Sequence, residues 1–244
     1  GPADFRVFVR DRAPVARFET NDYVLPASAE GVPVTTINTD TLKLTLYQVN
    51  DRNLAEVVRR GDFKRQLYSY ELYDIADERG AEVWSGTMPV TSILNEEVRT
   101  LVPVSEMIGT PEPGVYVMTA EPVEVADTSE SLATQWFVVS DIALSTFSNG
   151  GTVDVYTRSL ESGGPTGGVT VELLAENEAV LATATTDGNG HARLVSRAPL
   201  RGGQVPSLVT AASGEVYAFL SLTGAAGELS DRRAEGRTPP GPVD

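Results

Sequence analysis

The chain has 244 residues, 41% of them hydrophobic and 22% charged, a length and balance that suit one or two soluble globular domains with a real core. A formal net charge of −15 sets it against nucleic acid and anionic membrane surfaces, because both reward Lys and Arg. With no cysteine, these residues hold no disulfide, thiolate metal site, cysteine nucleophile or Cys-based thioester.

Gly1-Pro2 reads as the scar of a cleaved tag, and the whole as a segment of a longer protein. No apolar run is long enough to span a bilayer, so the fragment is not expected to be membrane-bound. Leu42, Leu44 and Leu46 alternate with Lys43, Thr45 and Tyr47, the period of a strand with one oily and one wet face. In "DRNLAEVVRRG", 51–61, Leu54, Val57 and Val58 share one helical face, with Asp51 placed as N-cap and Gly61 as the residue just past the C-terminus. "SEMIG" at 105–109 adds one further helical turn at most. The turn Pro111-Glu112-Pro113-Gly114 launches a strand that alternates Val115, Val117 and Thr119 against Tyr116, Met118 and Ala120. After a polar stretch at 124–135, "WFVV" at 136–139 closes the first strand set, and a boundary is expected near Ser140-Asp141.

"DIALSTF" opens a second set. "TVDVYTRSL" at 152–160 follows the turn Asn149-Gly150-Gly151, and 169–186 reads as a hairpin turning near Glu176-Asn177. The stretch "TTDGNGHARL", 185–194, holds the only histidine. An EF-hand loop beginning at Asp187 would need an oxygen ligand, Gly and Glu where His191, Ala192 and Ala198 stand, so the EF-hand reading is dropped. A hairpin turn joining Val180–Thr183 to Ala192–Val195 fits instead, with Gly188 or Gly190 supplying a positive φ. The tail is polar and rich in Gly and Pro, as a linker is.

Several of these segments together resemble the bacterial α-2-macroglobulins. In the second half the matching elements are Asp141-Ile142-Ala143-Leu144, Tyr156-Thr157-Arg158-Ser159-Leu160, Gly167-Gly168-Val169 and Thr186-Asp187-Gly188-Asn189-Gly190. In the first half they are "VRDRAPVARFE" at 9–19, "YVLP" at 23–26, "INTDTLKLTLYQVNDRNL" at 37–54, "VWSGTM" at 83–88 and "PGVYVMTAEP" at 113–122. The resemblance implies an all-β chain of two tandem antiparallel β-sandwich domains, macroglobulin or fibronectin-III-like, with one short helix. The domains would span 1–139 and 140–225, and 226–244 would be a flexible connector to the next domain.

The same resemblance implies a structural scaffold within a periplasmic, broad-spectrum protease trap, a lipoprotein of the inner membrane serving bacterial defence. Its partners would be neighbouring macroglobulin domains and, for the full-length parent, trapped proteases. The segment itself would lack bait region and thioester, bind no cofactor or metal, have no catalytic residue and be a monomer. Two competing readings remain open. One is a β-sandwich adhesion or ligand-binding module of a multidomain surface protein, using Trp84, Trp136, Tyr68 and Tyr70 as stacking platforms. The other is a hydrolase built on Asp187 and His191 with a remote partner, for which no G-x-S-x-G elbow is present.

Overall fold

The structure, a computed structural model, describes residues 10–18, 24–25, 29–49, 54, 56–58, 60–76, 80–125, 132–149, 151–196, 204–214 and 216–222. The expected N-cap Asp51 and the connector 226–244 lie outside the described residues. Strands of the first set are β1 (Val15–Phe18), β2 (Val24–Leu25), β3 (Val32–Ile37), β4 (Thr41–Val49), β5 (Gly80–Pro89), β6 (Glu97–Val102), β7 (Gly114–Pro122) and β8 (Ala133–Val139). They form a three-stranded sheet, β1-β3-β6, and a five-stranded sheet, β2-β8-β7-β4-β5. Pairing is antiparallel throughout except for the short parallel contact of β2 with β8.

The second set comprises β9 (Ile142–Asn149), β10 (Thr152–Ser159), β11 (Thr170–Ala175), β12 (Val180–Thr185), β13 (His191–Val195), β14 (Pro206–Ser213) and β15 (Val216–Ser221). These make the sheets β13-β10-β9 and β12-β11-β14-β15, all antiparallel. The fold is all-β, with helix confined to short pieces. Residues 54 and 56–58 are helical, and α1 (Ser69–Asp74) and α2 (Val104–Ile108) follow. One short helix was therefore an undercount. The six residues of α1 carry too short an apolar stripe to register as a helical period. Its N-terminus is closed by the Glu71 carboxylate accepting the Tyr68 N–H at 2.8 Å, a cap built on a tyrosine position that capping signatures do not flag.

Burial explains the strand patterns. Leu42, Leu44 and Leu46 of β4 face the three-stranded sheet and join Val34, Val102, Tyr116, Met118 and Phe137 in the core of the first sandwich. The second sandwich closes over Val153, Val155, Val171, Leu173, Leu194 and Val209. Each fully buried side chain of this size contributes about 1.5–3 kcal/mol relative to exposure. Strand β7 is buried along nearly its whole length, and its two faces enter different cores. Tyr116, Met118 and Ala120 belong to the first sandwich. Val115 and Val117 point the other way, into a cluster with Leu54, Val57, Leu67, Ile75, Trp136, Leu174, Leu208 and Tyr217. The five-stranded sheet is thus covered on both faces, which is why β7 and β8 carry apolar residues without a wet face.

Candidate functional site

The 187–191 turn connects two sheets. Strand β12 before it pairs with β11, whereas β13 after it pairs with β10, so the expected hairpin between them does not form. Turn chemistry fixes that the chain reverses, but partner choice is set by the sheets on either side. The loop closes locally. The Asp187 N–H donates to the His191 carbonyl at 2.9 Å and the Gly190 N–H to the Asp187 carbonyl at 2.9 Å. Asp187 Oδ1 accepts the N–H groups of Asn189 and His191, each at 2.9 Å. Those two bonds, that from His191 foremost, hold the Asp187 carboxyl below the usual carboxylate range. Gly190 has φ +72°, and its carbonyl accepts the Thr157 N–H at 2.8 Å. Gly188 is not in the left-handed region and faces open space.

Asp187 and His191 do not form a catalytic pair through their side chains. The His191 ring Nε2 lies 2.8 Å from Asp154 Oδ1, which also accepts Arg193 Nε at 2.9 Å. The Tyr156 ring sits 4.8 Å from the imidazole. Register explains the cluster: β10 and β13 place Asp154 opposite Arg193 and Tyr156 opposite His191, so all four share one sheet face. Arg193 first and His191 second pull the Asp154 carboxyl below its ordinary range. The arrangement is a cross-strand charge and aromatic ladder, with its carboxylate engaged on both sides. Strand alternation places Asp154 and Tyr156 on one face, but only the β10–β13 register brings the histidine to them. Among the described residues, no group of three or more His, Asp or Glu side chains is placed to hold a metal ion.

The aromatic candidates separate by burial. Trp136 is only 1% exposed, and its indole Nε1 donates to the Arg65 carbonyl at 3.1 Å. Trp84 is half-buried against the first sandwich core. Tyr68 and Tyr70 are exposed and stack parallel on each other at 5.8 Å. A groove of about 540 Å³ lies on the outer face of β12-β11-β14-β15, lined by Thr170, Glu172, Thr210, Ala212 and Tyr217 among others.

The most heavily built feature lies where the two sandwiches meet. The helical residues around 54–58 end in a Schellman motif: Asp62 N–H donates to the Val57 carbonyl at 3.0 Å and Gly61 N–H to the Val58 carbonyl at 3.1 Å. Gly61, at φ +74°, is the C′ residue the sequence suggests. Arg65 then bridges Asp62 (2.8 Å) and Glu71 (2.6 Å), and this guanidinium holds the Glu71 carboxyl below the carboxylate range. The Gln66 amide accepts the Thr134 N–H at 3.0 Å and donates to the Leu132 carbonyl at 2.8 Å, while the Leu67 N–H reaches Thr134 Oγ1 at 2.9 Å. These bonds serve the edge of β8, which β2 pairs only at Val138 and Val139. Phe63 projects from this segment and meets Trp136 edge-on at 5.6 Å and Phe219 at 4.9 Å.

Two antiparallel sandwiches in tandem, joined through a shared apolar cluster, define a β-sandwich module of the macroglobulin type. Residues 17–137 match the bacterial alpha-2-macroglobulin MG2 domain, and residues 139–239 match the bacterial alpha-2-macroglobulin MG3 domain. The chain belongs to the bacterial alpha-2-macroglobulin family and spans these two consecutive domains. It is 26% identical over 192 residues to an alpha-2-macroglobulin of Escherichia coli strain K12, covering 77% of this chain and 11% of that protein. To the alpha-2-macroglobulin of Xylella fastidiosa strain 9a5c it is 28% identical over 242 residues, 96% of this chain and 14% of that protein. The chain therefore spans a small part of the curated relatives it matches.

Solved structures agree on the fold. A crystal structure of native E. coli alpha-2-macroglobulin spanning domains NIE-MG1 aligns with TM-score 0.65 at 22% identity, covering 88% of this chain and 100% of that one. Trypsin-activated E. coli alpha-2-macroglobulin aligns with TM-score 0.72 at 23% identity, covering 86% of this chain and 14% of that one.

Proposed function

We propose that this chain is a non-enzymatic scaffold segment of a periplasmic, broad-spectrum protease trap, with the parent anchored to the inner membrane as a lipoprotein. The observation that carries the reading is the consecutive match to two macroglobulin domains in family order. The segment contributes geometry: it packs against neighbouring macroglobulin domains of the same chain while other parts of the parent engage the protease. The Asp154–His191–Arg193 ladder and Asp187, whose Oδ1 accepts two backbone amides, serve the second sandwich as structure.

Domains of 1–139 and 140–225, with 226–244 as connector, suit this role. In support, the strands up to Val139 and those from Ile142 onward pair only within their own sets among the described residues. The isolated segment is a monomer in this reading.

The test uses the full-length parent, recovered from periplasmic membranes with antibodies to this segment. The parent should suppress digestion of a large protein substrate by several unrelated proteases, while the 244-residue chain alone neither inhibits nor hydrolyses. A parent that inhibits no protease, or that is recovered only from the cytosol, overturns the reading. Intact mass with and without methylamine then shows whether the trap holds its target covalently.

A further inference from the structure

We infer that Leu54, Val57 and residues 60–76 form a wedge that locks the two sandwiches into one rigid lever, with Phe63 as its central contact. The inference does not depend on what the parent protein captures.

The outer face of β12-β11-β14-β15 changes character along its surface. Thr170, Glu172 and Thr210 keep it polar at the groove. Towards the first sandwich the same sheet presents Leu174, Leu208, Tyr217 and Phe219, and the first three are 9%, 1% and 5% exposed. An outward sheet face of a free sandwich would leave such residues in water. Here they are covered by Leu54, Val57, Leu67, Ile75 and Trp136 from the first sandwich. Burial of this kind opposes separation of the two bodies in proportion to the apolar area involved.

The wedge is fixed to the first sandwich independently of the second. Gln66 and Leu67 are bonded to Leu132 and Thr134, the Arg65 carbonyl holds Trp136, and the Arg65 guanidinium ties Asp62 to Glu71. A second observation points the same way. Interdomain linkers are ordinarily exposed and rich in Gly and Pro. The link between β8 and β9 is only Ser140-Asp141, and Ser140 is 3% exposed. Its Oγ accepts the Ile142 N–H at 3.1 Å and donates to the Ile142 carbonyl at 3.0 Å, while the Asp141 carbonyl accepts the Leu160 N–H at 2.8 Å. A link so short and so fully bonded leaves little room for a hinge. Any displacement of the second sandwich within the parent is therefore carried to the first as a rotation of the whole unit.

The test is a distance measurement across the joint. The chain lacks cysteine, so Glu96→Cys and Glu161→Cys, at exposed sites on the first and second sandwich, take spin labels cleanly. Pulsed electron resonance should give one narrow distance distribution in the otherwise unchanged 244-residue chain. Phe63→Ala should broaden it while circular dichroism keeps the β signature of both sandwiches. If Phe63→Ala unfolds the first sandwich, Phe219→Ala removes the same contact from the other side and should produce the broadening. A broad distribution in the parent sequence overturns the inference. So does a narrow one that survives in every folded variant of the pair.

Discussion

A side chain at Gly190 would place its Cβ 2.3 Å from the Thr157 carbonyl oxygen, on a backbone already at φ +72°, whereas the same change at Gly188 meets nothing within 4 Å. Gly190→Val should therefore lower stability by about 2 kcal/mol or more, since clash and left-handed strain act together. Gly188→Val should stay within ~0.5 kcal/mol of the parent, as an exposed substitution does. Urea midpoints of the two variants, read beside each other, check the contrast. His191→Ala loses a part-exposed contact to Asp154 and the ring contact with Tyr156, and should cost less than Gly190→Val. Asp187 sets a pH dependence. Its folded-state pKa is depressed, so its stabilisation is full above the unfolded-state value near ~4 and is lost as pH falls through the folded value. Asp187→Asn keeps an oxygen that can accept both amides but removes the titration. Unfolding midpoints between pH 6 and 2, chosen to bracket that range, should fall less steeply in the variant than in the parent.

Among the elements, what a short window contains was legible, and what depends on a partner was not. Gly61 was readable as a helix terminus because the left-handed C′ position needs a residue without Cβ. The alternation in 42–47 and 115–120 was readable as strand because the period of two is local. Partner choice was not local. Strands β12 and β13 face each other across a good turn yet belong to different sheets, and Asp154 met His191 only through a register that no single strand encodes. Helix α1 leaves no local period because it is held by Arg65 and Glu71 more than by an apolar stripe. A methyl group added at Gly61 would meet no atom within 4 Å, so Gly61→Ala isolates the backbone strain of the left-handed conformation and should cost about 1 kcal/mol. Thermal unfolding followed by tryptophan fluorescence, to which the Trp136 indole bonded to the Arg65 carbonyl contributes beside Trp84, would register it.

At the scale of the whole molecule, the joint is signalled by strands that are apolar on both faces: β7 carries Val115 and Val117 opposite Tyr116 and Met118, and β8 carries Trp136 and Val138 opposite Phe137 and Val139. Their meaning emerged only once both covering layers were in place. Charge is the remaining global property: 34 acidic residues stand against 19 basic ones. The ion pairs that offset them include surface contacts such as Arg17–Glu97, where both side chains are nearly half exposed, and such pairs contribute ~0–1 kcal/mol each. Self-repulsion of the acidic excess then outweighs attraction within the pairs, and added salt screens the repulsion more than it weakens the pairs. Raising sodium chloride from ~10 mM to ~150 mM shortens the Debye length from roughly 30 Å to 8 Å, and should raise the melting temperature. A fall over that range would mean that the exposed pairs, with the Arg65 and Asp154 networks, carry more of the stability than the net charge removes.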